Sequence, residues 1–263
     1  MRIKFTSPHP KDFPDALLNI IKNNKNISQN IHLPAQSGST SVLARMRRGY
    51  SFESYISLVE KIRQILPNVT LSTDLIVGFC GETDSEFQQT LELVRRVEFD
   101  TAFMFAYSMR EKTHAHRNYE DDVPAQVKQA RLQELIELFH ETAKRKNQKY
   151  IGTYKLVLVD TANQSTICNE NYNINQSQIS DAYHSNADNI SSSRVPDINL
   201  KGKVSGFDEF NHKVFLYPNP DDGRAFFNIK KGDYVLAKVV SASSVSLTAN
   251  IISNSSVIEY FSY

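Results

Sequence analysis

Cysteine is nearly missing from this sequence. Its 263 residues include two, Cys80 and Cys168. That excludes a disulfide scaffold and any metal or iron–sulfur site held by this chain's cysteines alone. Tryptophan is absent, and nine glycines are about half the usual share, so the place of each glycine carries information. No apolar run approaches the ~18 residues that mark a membrane span. Neither charge dominates: 30 Lys and Arg against 29 Asp and Glu leave a formal net charge of +1. This rules out a histone-like tail or an acidic solvating chain, and any nucleic-acid contact has to come from a local patch. The opening Met1–Pro10 reads as strand and turn rather than as a signal or transit peptide. With 40% hydrophobic and 22% charged residues, the chain is globular and long enough for one large domain or two ordinary ones.

Three zones follow one another. Residues 1 to about 150 alternate short apolar runs with amphipathic stretches. Ile3–Phe5, Ile31–Leu33, Leu71–Phe79 and Thr101–Tyr107 read as strands. Helices are expected after Pro14, over Ser51–Leu66, after the capping box Thr83-Asp84-Ser85-Glu86, and from Pro124 onward. The last is read with Val127, Leu132, Leu135, Ile136 and Phe139 inward and Lys128, Arg131 and Glu137 outward. Strand–helix alternation predicts a parallel sheet. About four strands are too few for a closed barrel of roughly eight, so this zone is expected to be an open part of one. Residues from about 161 to 199 are polar and biased toward Asn, Ser, Gln and Asp, and read as a disordered insertion. Tyr154–Asp160 before this insertion and four short segments from 200 to about 252, punctuated by Gly202, Gly206, Gly223 and Gly232, predict a small antiparallel barrel or sandwich of OB type.

In parallel α/β folds, chemistry gathers at the C-terminal ends of the strands. Three polar clusters fall there: Ser7-Pro8-His9-Pro10, Gln36-Ser37-Gly38-Ser39, and Gly78 with Gly81-Glu82-Thr83. Together they suggest a ligand rim. Asp74 lies in an otherwise apolar strand, and a buried carboxylate needs a partner; it either faces a ligand cavity or caps a neighbouring loop. His32 reads as a satisfied core histidine and Cys80 as a buried, inert thiol. His114 and His116 have no companions for a metal site. Arg45, Arg47 and Arg48, followed by Lys61 and Arg63, form a basic cluster that is either a solvated face or a phosphate contact. In the last zone Lys155, Lys201, Lys203, Lys213, Lys230, Lys231 and Lys238 mix with Phe207, Phe210, Phe215 and Tyr217, a composition suited to RNA.

Five motifs carry a resemblance: FTSPHP (Phe5–Pro10), HLPAQSGS (His32–Ser39), MRRGY (Met46–Tyr50), STDLIVGFCGET (Ser72–Thr83) and FAYSMREKT (Phe105–Thr113). The sequence resembles the MiaB-type radical-SAM tRNA methylthiotransferases. Cys80, and Glu111-Lys112 in place of Pro-Gly, point to the eukaryotic, mitochondrial branch. The resemblance implies an α/β fold: a partial, open radical-SAM parallel β/α barrel over 1–150. A small all-β, OB-like TRAM domain follows over 151–255. It implies a tRNA-2-methylthio-N6-isopentenyladenosine synthase acting at adenosine 37 of the tRNA anticodon stem-loop. S-adenosyl-L-methionine would supply a methyl group and, on reductive cleavage at a [4Fe–4S] cluster, a 5′-deoxyadenosyl radical. An electron donor, a mitochondrial (otherwise cytoplasmic) location and no membrane association are also implied. Candidate cofactor contacts are Ser7, His9, Gln36, Ser37, Gly38, Asp74 and Ser108. Candidate RNA contacts are Arg47, Arg48, Lys201, Lys203, Lys213 and Lys231. No catalytic residue and no metal ligand is assigned. The family's Cys-x3-Cys-x2-Cys motif is not in this chain, so it reads as a C-terminal fragment, inactive by itself; the alternative is a non-catalytic RNA-binding fragment. Anaerobic iron–sulfur reconstitution of this chain is therefore expected to give no stoichiometric [4Fe–4S] signal by EPR, and such a signal would refute the reading.

Overall fold

The computed structural model describes residues 3–4, 9–162, 204–218 and 229–254. Most of the predicted insertion, Gly202, Gly223 and Cys168 lie outside the described residues. Helix α1 (Asp15–Asn23) precedes strand β1 (Asn30–His32); α2 (Thr40–Arg45) and α3 (Phe52–Ile65) lead to β2 (Thr70–Val77); α4 (Asp84–Val97) leads to β3 (Thr101–Ala106). A short α5 (His114–Asn118) and a long α6 (Ala125–Asn147) follow. The strands pair in parallel in the order β1-β2-β3, with Ser72 opposite His32 on one side and Thr101 on the other. This is three strands where four were expected. Ile3 makes only an isolated bridge to Ile27, and Phe5 lies outside the described residues.

Local sequence explains the helix starts. The Ser51 hydroxyl accepts from the Ser54 N–H, and the Ser51 N–H donates back to the Ser54 hydroxyl. Thr83 and Glu86 do the same for α4, at 3.2 and 2.9 Å. Each box satisfies two N–H groups that a helix end otherwise leaves unpaired. Leu71, Leu75 and Val77 share one core with Val59 and Ile62 of α3 and Leu91 and Val94 of α4. A fully buried aliphatic side chain of this kind contributes roughly 1.5–3 kcal/mol, so this face fixes the sheet against its helices. Along α6 the expected stripe is displaced. Lys128 and Arg131 are buried, on the stripe with Leu135 and Phe139, rather than outward. Their charges are paired: Arg131 bonds Glu82 at 3.0 Å and Asp84 at 2.5 Å, and Lys128 bonds Asp121. Hydrophobic periodicity misses such a site because paired charges can occupy a buried position.

The second module is a closed barrel of β4 (Tyr154–Thr161), β5 (Val204–Phe207), β6 (Lys213–Tyr217), β7 (Tyr234–Ala242) and β8 (Ser246–Asn254), in the order β4-β5-β6-β8-β7. It is not wholly antiparallel as expected: β6 and β8 run parallel and close the ring. Val157, Val214, Val235 and Leu247 fill its own core.

A buried ionic turn joins the two modules. The Asp208 carboxylate accepts from the N–H groups of Phe210 and His212 and from the His212 ring at 2.8 Å. Lys155 stands 3.6 Å from Asp208, so it is buried at this junction rather than on an RNA face. Across the junction His212 Nε2 faces Asp100 Oδ1 at 4.0 Å, and Asp100 also pairs with Lys146. The Ser28 hydroxyl donates to the Glu209 carbonyl and that of Thr70 to the Phe210 carbonyl. Burial works against a charge on His212, but the carboxylates of Asp208 and Asp100 outweigh it and raise its pKa to about 9. A histidine that holds its proton more tightly folded than unfolded stabilises fully below its unfolded value of about 6.5, and that contribution is lost as pH rises through the folded value. The melting temperature is thus expected to fall by several degrees as pH rises from about 6.5 past 9, at roughly 2–4 °C per kcal/mol. In His212→Gln it should start lower and show a flatter decline, measured by calorimetry. Equal slopes for the two proteins would refute this.

Candidate active site on the open sheet face

Strand alternation puts Ser72, Asp74 and Ile76 of β2 on the face away from the helices, beside His32 of β1 and Thr101, Phe103 and Phe105 of β3. Parallel sheets are ordinarily covered on both faces. Here the second face is open: Phe103 is 52% and Phe105 53% exposed. His32 Nε2 lies 3.4 Å from Asp74 Oδ2, His32 Nδ1 lies 3.1 Å from the Ser72 hydroxyl, and the Phe103 ring meets the His32 ring edge to face. The Asp74 carboxylate is half-exposed on this face beside His32. His32 is not a core histidine but half-exposed on the same face. Sequence reasoning missed Phe103 and Phe105 as site residues. The signal was there: the aromatic rings stand at alternate positions, Phe103 and Phe105, of Thr-Ala-Phe-Met-Phe-Ala.

Strand tips form the rim. Gln36 adopts a left-handed backbone (φ 67°) and extends the sheet, its N–H donating to the Asp74 carbonyl while its carbonyl accepts from Ile76. Ser37 and Gly38 lean the other way. The Ser37 hydroxyl lies 3.3 Å from that of Thr90, which also accepts from the Gly38 N–H at 3.0 Å. A Cβ on Gly38 would sit 2.2 Å from the Gln89 carbonyl oxygen. This glycine lets the loop pack on α4. Gly78 (φ 72°) turns the chain at the end of β2, where Lys128 fills the space of a side chain, and its N–H donates to Glu82 at 2.6 Å. Ser108 is exposed at the tip of β3, and His9 lies with its ring 5.4 Å from that of Tyr50. Ser7, Lys201 and Lys203 lie outside the described residues. Cys80 is buried, and burial pushes its thiol up.

The basic cluster read from the sequence does not hold together. Arg45 bonds Glu86 through both oxygens, Lys61 pairs with Asp15, and Arg63 donates to the Val97 carbonyl. Burial disfavours the Glu86 charge, yet Arg45, Ser41 and the Thr83 N–H together bring its pKa down to about 2. Arg47 is exposed and Arg48 half-buried. On the barrel, Lys231 is exposed, whereas Lys213 pairs with Asp160 at 3.0 Å over the Phe207 ring.

Residues 1–94 match the model of the Radical SAM superfamily. A CDK5RAP1-like protein of Oryza sativa subsp. japonica is 43% identical over 99% of this chain and 39% of its own length. The mitochondrial tRNA methylthiotransferase CDK5RAP1 of Mus musculus is 42% identical over 100% of this chain and 40% of its own. The tRNA-2-methylthio-N(6)-dimethylallyladenosine synthase of Bacillus cytotoxicus is 51% identical over 60% of this chain and 31% of its own. Among solved structures, coproporphyrinogen III oxidase of Escherichia coli, described as a radical SAM enzyme, aligns at TM-score 0.46 and 21% identity, over 54% of this chain and 32% of that one. In sequence, then, the chain is similar to proteins named as tRNA methylthiotransferases and, over residues 1–94, to the Radical SAM superfamily model. It spans about two fifths of the length of the rice and mouse relatives.

Among the described residues, no three of His, Cys, Asp and Glu are grouped to hold a metal ion. These residues offer no seat for an iron–sulfur cluster. A half-exposed carboxylate, Asp74, stands opposite Phe103 of β3, whose ring is exposed. Gly38→Ala is expected to cost about 1–3 kcal/mol through overpacking, read as a lower melting temperature. An unchanged melting temperature with lost S-adenosylmethionine binding would return Gly38 to the ligand site.

Proposed function

We propose that this chain carries the S-adenosylmethionine- and tRNA-facing part of a tRNA methylthiotransferase of the mitochondrial branch. Its product is the 2-methylthio form of N6-isopentenyladenosine at position 37 of the anticodon stem-loop. The observation that carries this reading is likeness to the rice and mouse relatives across nearly the whole chain, sheet and barrel together. It favours the transferase over a non-catalytic RNA-binding fragment. S-adenosylmethionine, when bound in such an enzyme, supplies the methyl group and, on reductive cleavage, a 5′-deoxyadenosyl radical. The Asp74 carboxylate suits the cationic end of that cofactor, and His32 holds it in place from the neighbouring strand. Phe103 and Phe105 supply the apolar wall that keeps water from the reacting groups. Gln36, Ser108 and His9 are the further proposed contacts at the strand tips. The closed five-stranded barrel is read as the TRAM module, with Lys213 and Lys231, and Arg47 and Arg48 at the sheet's rim, as proposed RNA contacts. An electron donor completes the enzyme.

Two measurements test this. S-adenosylmethionine is expected to bind the chain in equilibrium dialysis, with Asp74→Ala weakening it roughly tenfold, the effect of removing one charged partner. Nucleoside mass spectrometry of tRNA from cells with the gene disrupted should lose the methylthio form and accumulate isopentenyladenosine. Persistence of the methylthio form would overturn the proposal.

A further inference from the structure

The open sheet face ends, beyond the tips of β2 and β3, in a cavity of about 220 Å³. Its floor is apolar: Ile76, Phe79 and Tyr107, with the Phe79 and Tyr107 rings 4.7 Å apart. Its rim carries the guanidinium groups of Arg48 and Arg110, with His114 beside them, and none of the lining residues is acidic. Arg45 also lines it but is committed to Glu86 and the Cys80 carbonyl. The arginines that pair with carboxylates among the described residues are Arg45, Arg95, Arg96, Arg131 and Arg145. Arg48 and Arg110 are not among them. Two guanidiniums with no carboxylate partner among the described residues, over an apolar floor, attract an anion, and their planar forks match phosphate oxygens.

We propose that this cavity takes one nucleotide of the RNA substrate, its phosphate held by Arg48 and Arg110 and its ring laid on the apolar floor. The proposal rests on the RNA reading above and adds the place where the strand enters. The volume is below the roughly 300–1,000 Å³ of cofactor pockets, which suits a group inserted from a polymer whose remainder lies outside. Charge separates this cavity from the proposed cofactor position. S-adenosylmethionine carries a sulfonium, an ammonium and one carboxylate, a net positive charge that an acid-free arginine rim repels. Asp74, two residues back along β2 on the same face, is the acidic point that attracts it. A nucleotide has the opposite sign and fits the rim.

The test is fluorescence anisotropy of the chain with a labelled RNA hairpin bearing a single-stranded, adenosine-containing loop, over a salt series. S-adenosylmethionine binding is measured alongside. Arg48→Ala and Arg110→Ala should each weaken RNA binding about tenfold and flatten the salt dependence by about 0.7 for every phosphate no longer neutralised. Arg110→Lys should recover part of the affinity, and Arg117→Ala, exposed and outside the cavity, should change neither quantity. S-adenosylmethionine affinity should stay as in the parent. Calorimetric melting of each variant separates a local loss from unfolding. Parent-like RNA affinity and salt slope in Arg110→Ala would overturn the proposal, as would a variant that loses S-adenosylmethionine but keeps RNA. If RNA binding falls in a Lys213→Ala, Lys231→Ala variant and not in Arg110→Ala, the cavity assignment fails and the RNA reading stands. No RNA binding by the parent would refute both.

Discussion

Among the described residues, helices cover one face of this parallel sheet and leave the other exposed, and the placement of the proposed chemistry follows from that asymmetry. Strand alternation forces half of the side chains to the uncovered face. On β2 those are Ser72, Asp74 and Ile76; on β3, Thr101, Phe103 and Phe105. A polar pair next to two exposed phenylalanines is costly as plain surface and useful as the wall of a site. The buried face does the holding. Leu71, Leu75 and Val77 lock the sheet to α3 and α4, so the open face can carry polar groups without weakening the fold.

Charge is distributed by the same logic. Buried ions in this structure come in sets: Glu82 with Arg131 beneath the Gly78 turn, and Asp208, His212, Asp100 and Lys146 at the module junction. Removing one partner from such a set strands another, which is why these positions hold the loops and the barrel where they are. Arg48 and Arg110 stand apart from such sets, at the open end of the sheet.

Much of the architecture was legible in the chain. The capping box at Thr83, the helix start at Ser51, the β2 and β3 strands, and the five short strands of the last module all follow from local residue chemistry, within a few residues of the observed limits. Harder to read were interactions set by distant partners. Lys128 and Arg131 looked solvent-facing because helical periodicity scores charge as surface, and only Asp121, Glu82 and Asp84, brought in from other segments, make their burial tolerable. Gly38 looked like part of a ligand loop; the close approach of α4 gives its absent side chain another meaning. The basic run from Arg45 to Arg63 dissolved because Glu86 and Asp15 arrive from elsewhere in the fold.

Local order and module type were thus decided by the sequence itself: caps, alternation and turn residues act over a few positions and need no knowledge of the rest. Its poverty in cysteine likewise settled that no cysteine-ligated cluster is held by this chain alone. Tertiary structure alone decided that His32 meets Asp74 and which arginines find a carboxylate among the described residues. It also decided that β6 and β8 close the barrel in parallel and that a buried histidine links the two modules. Those outcomes depend on residues up to more than a hundred positions apart, and one linear pattern does not encode which distant charge will arrive first.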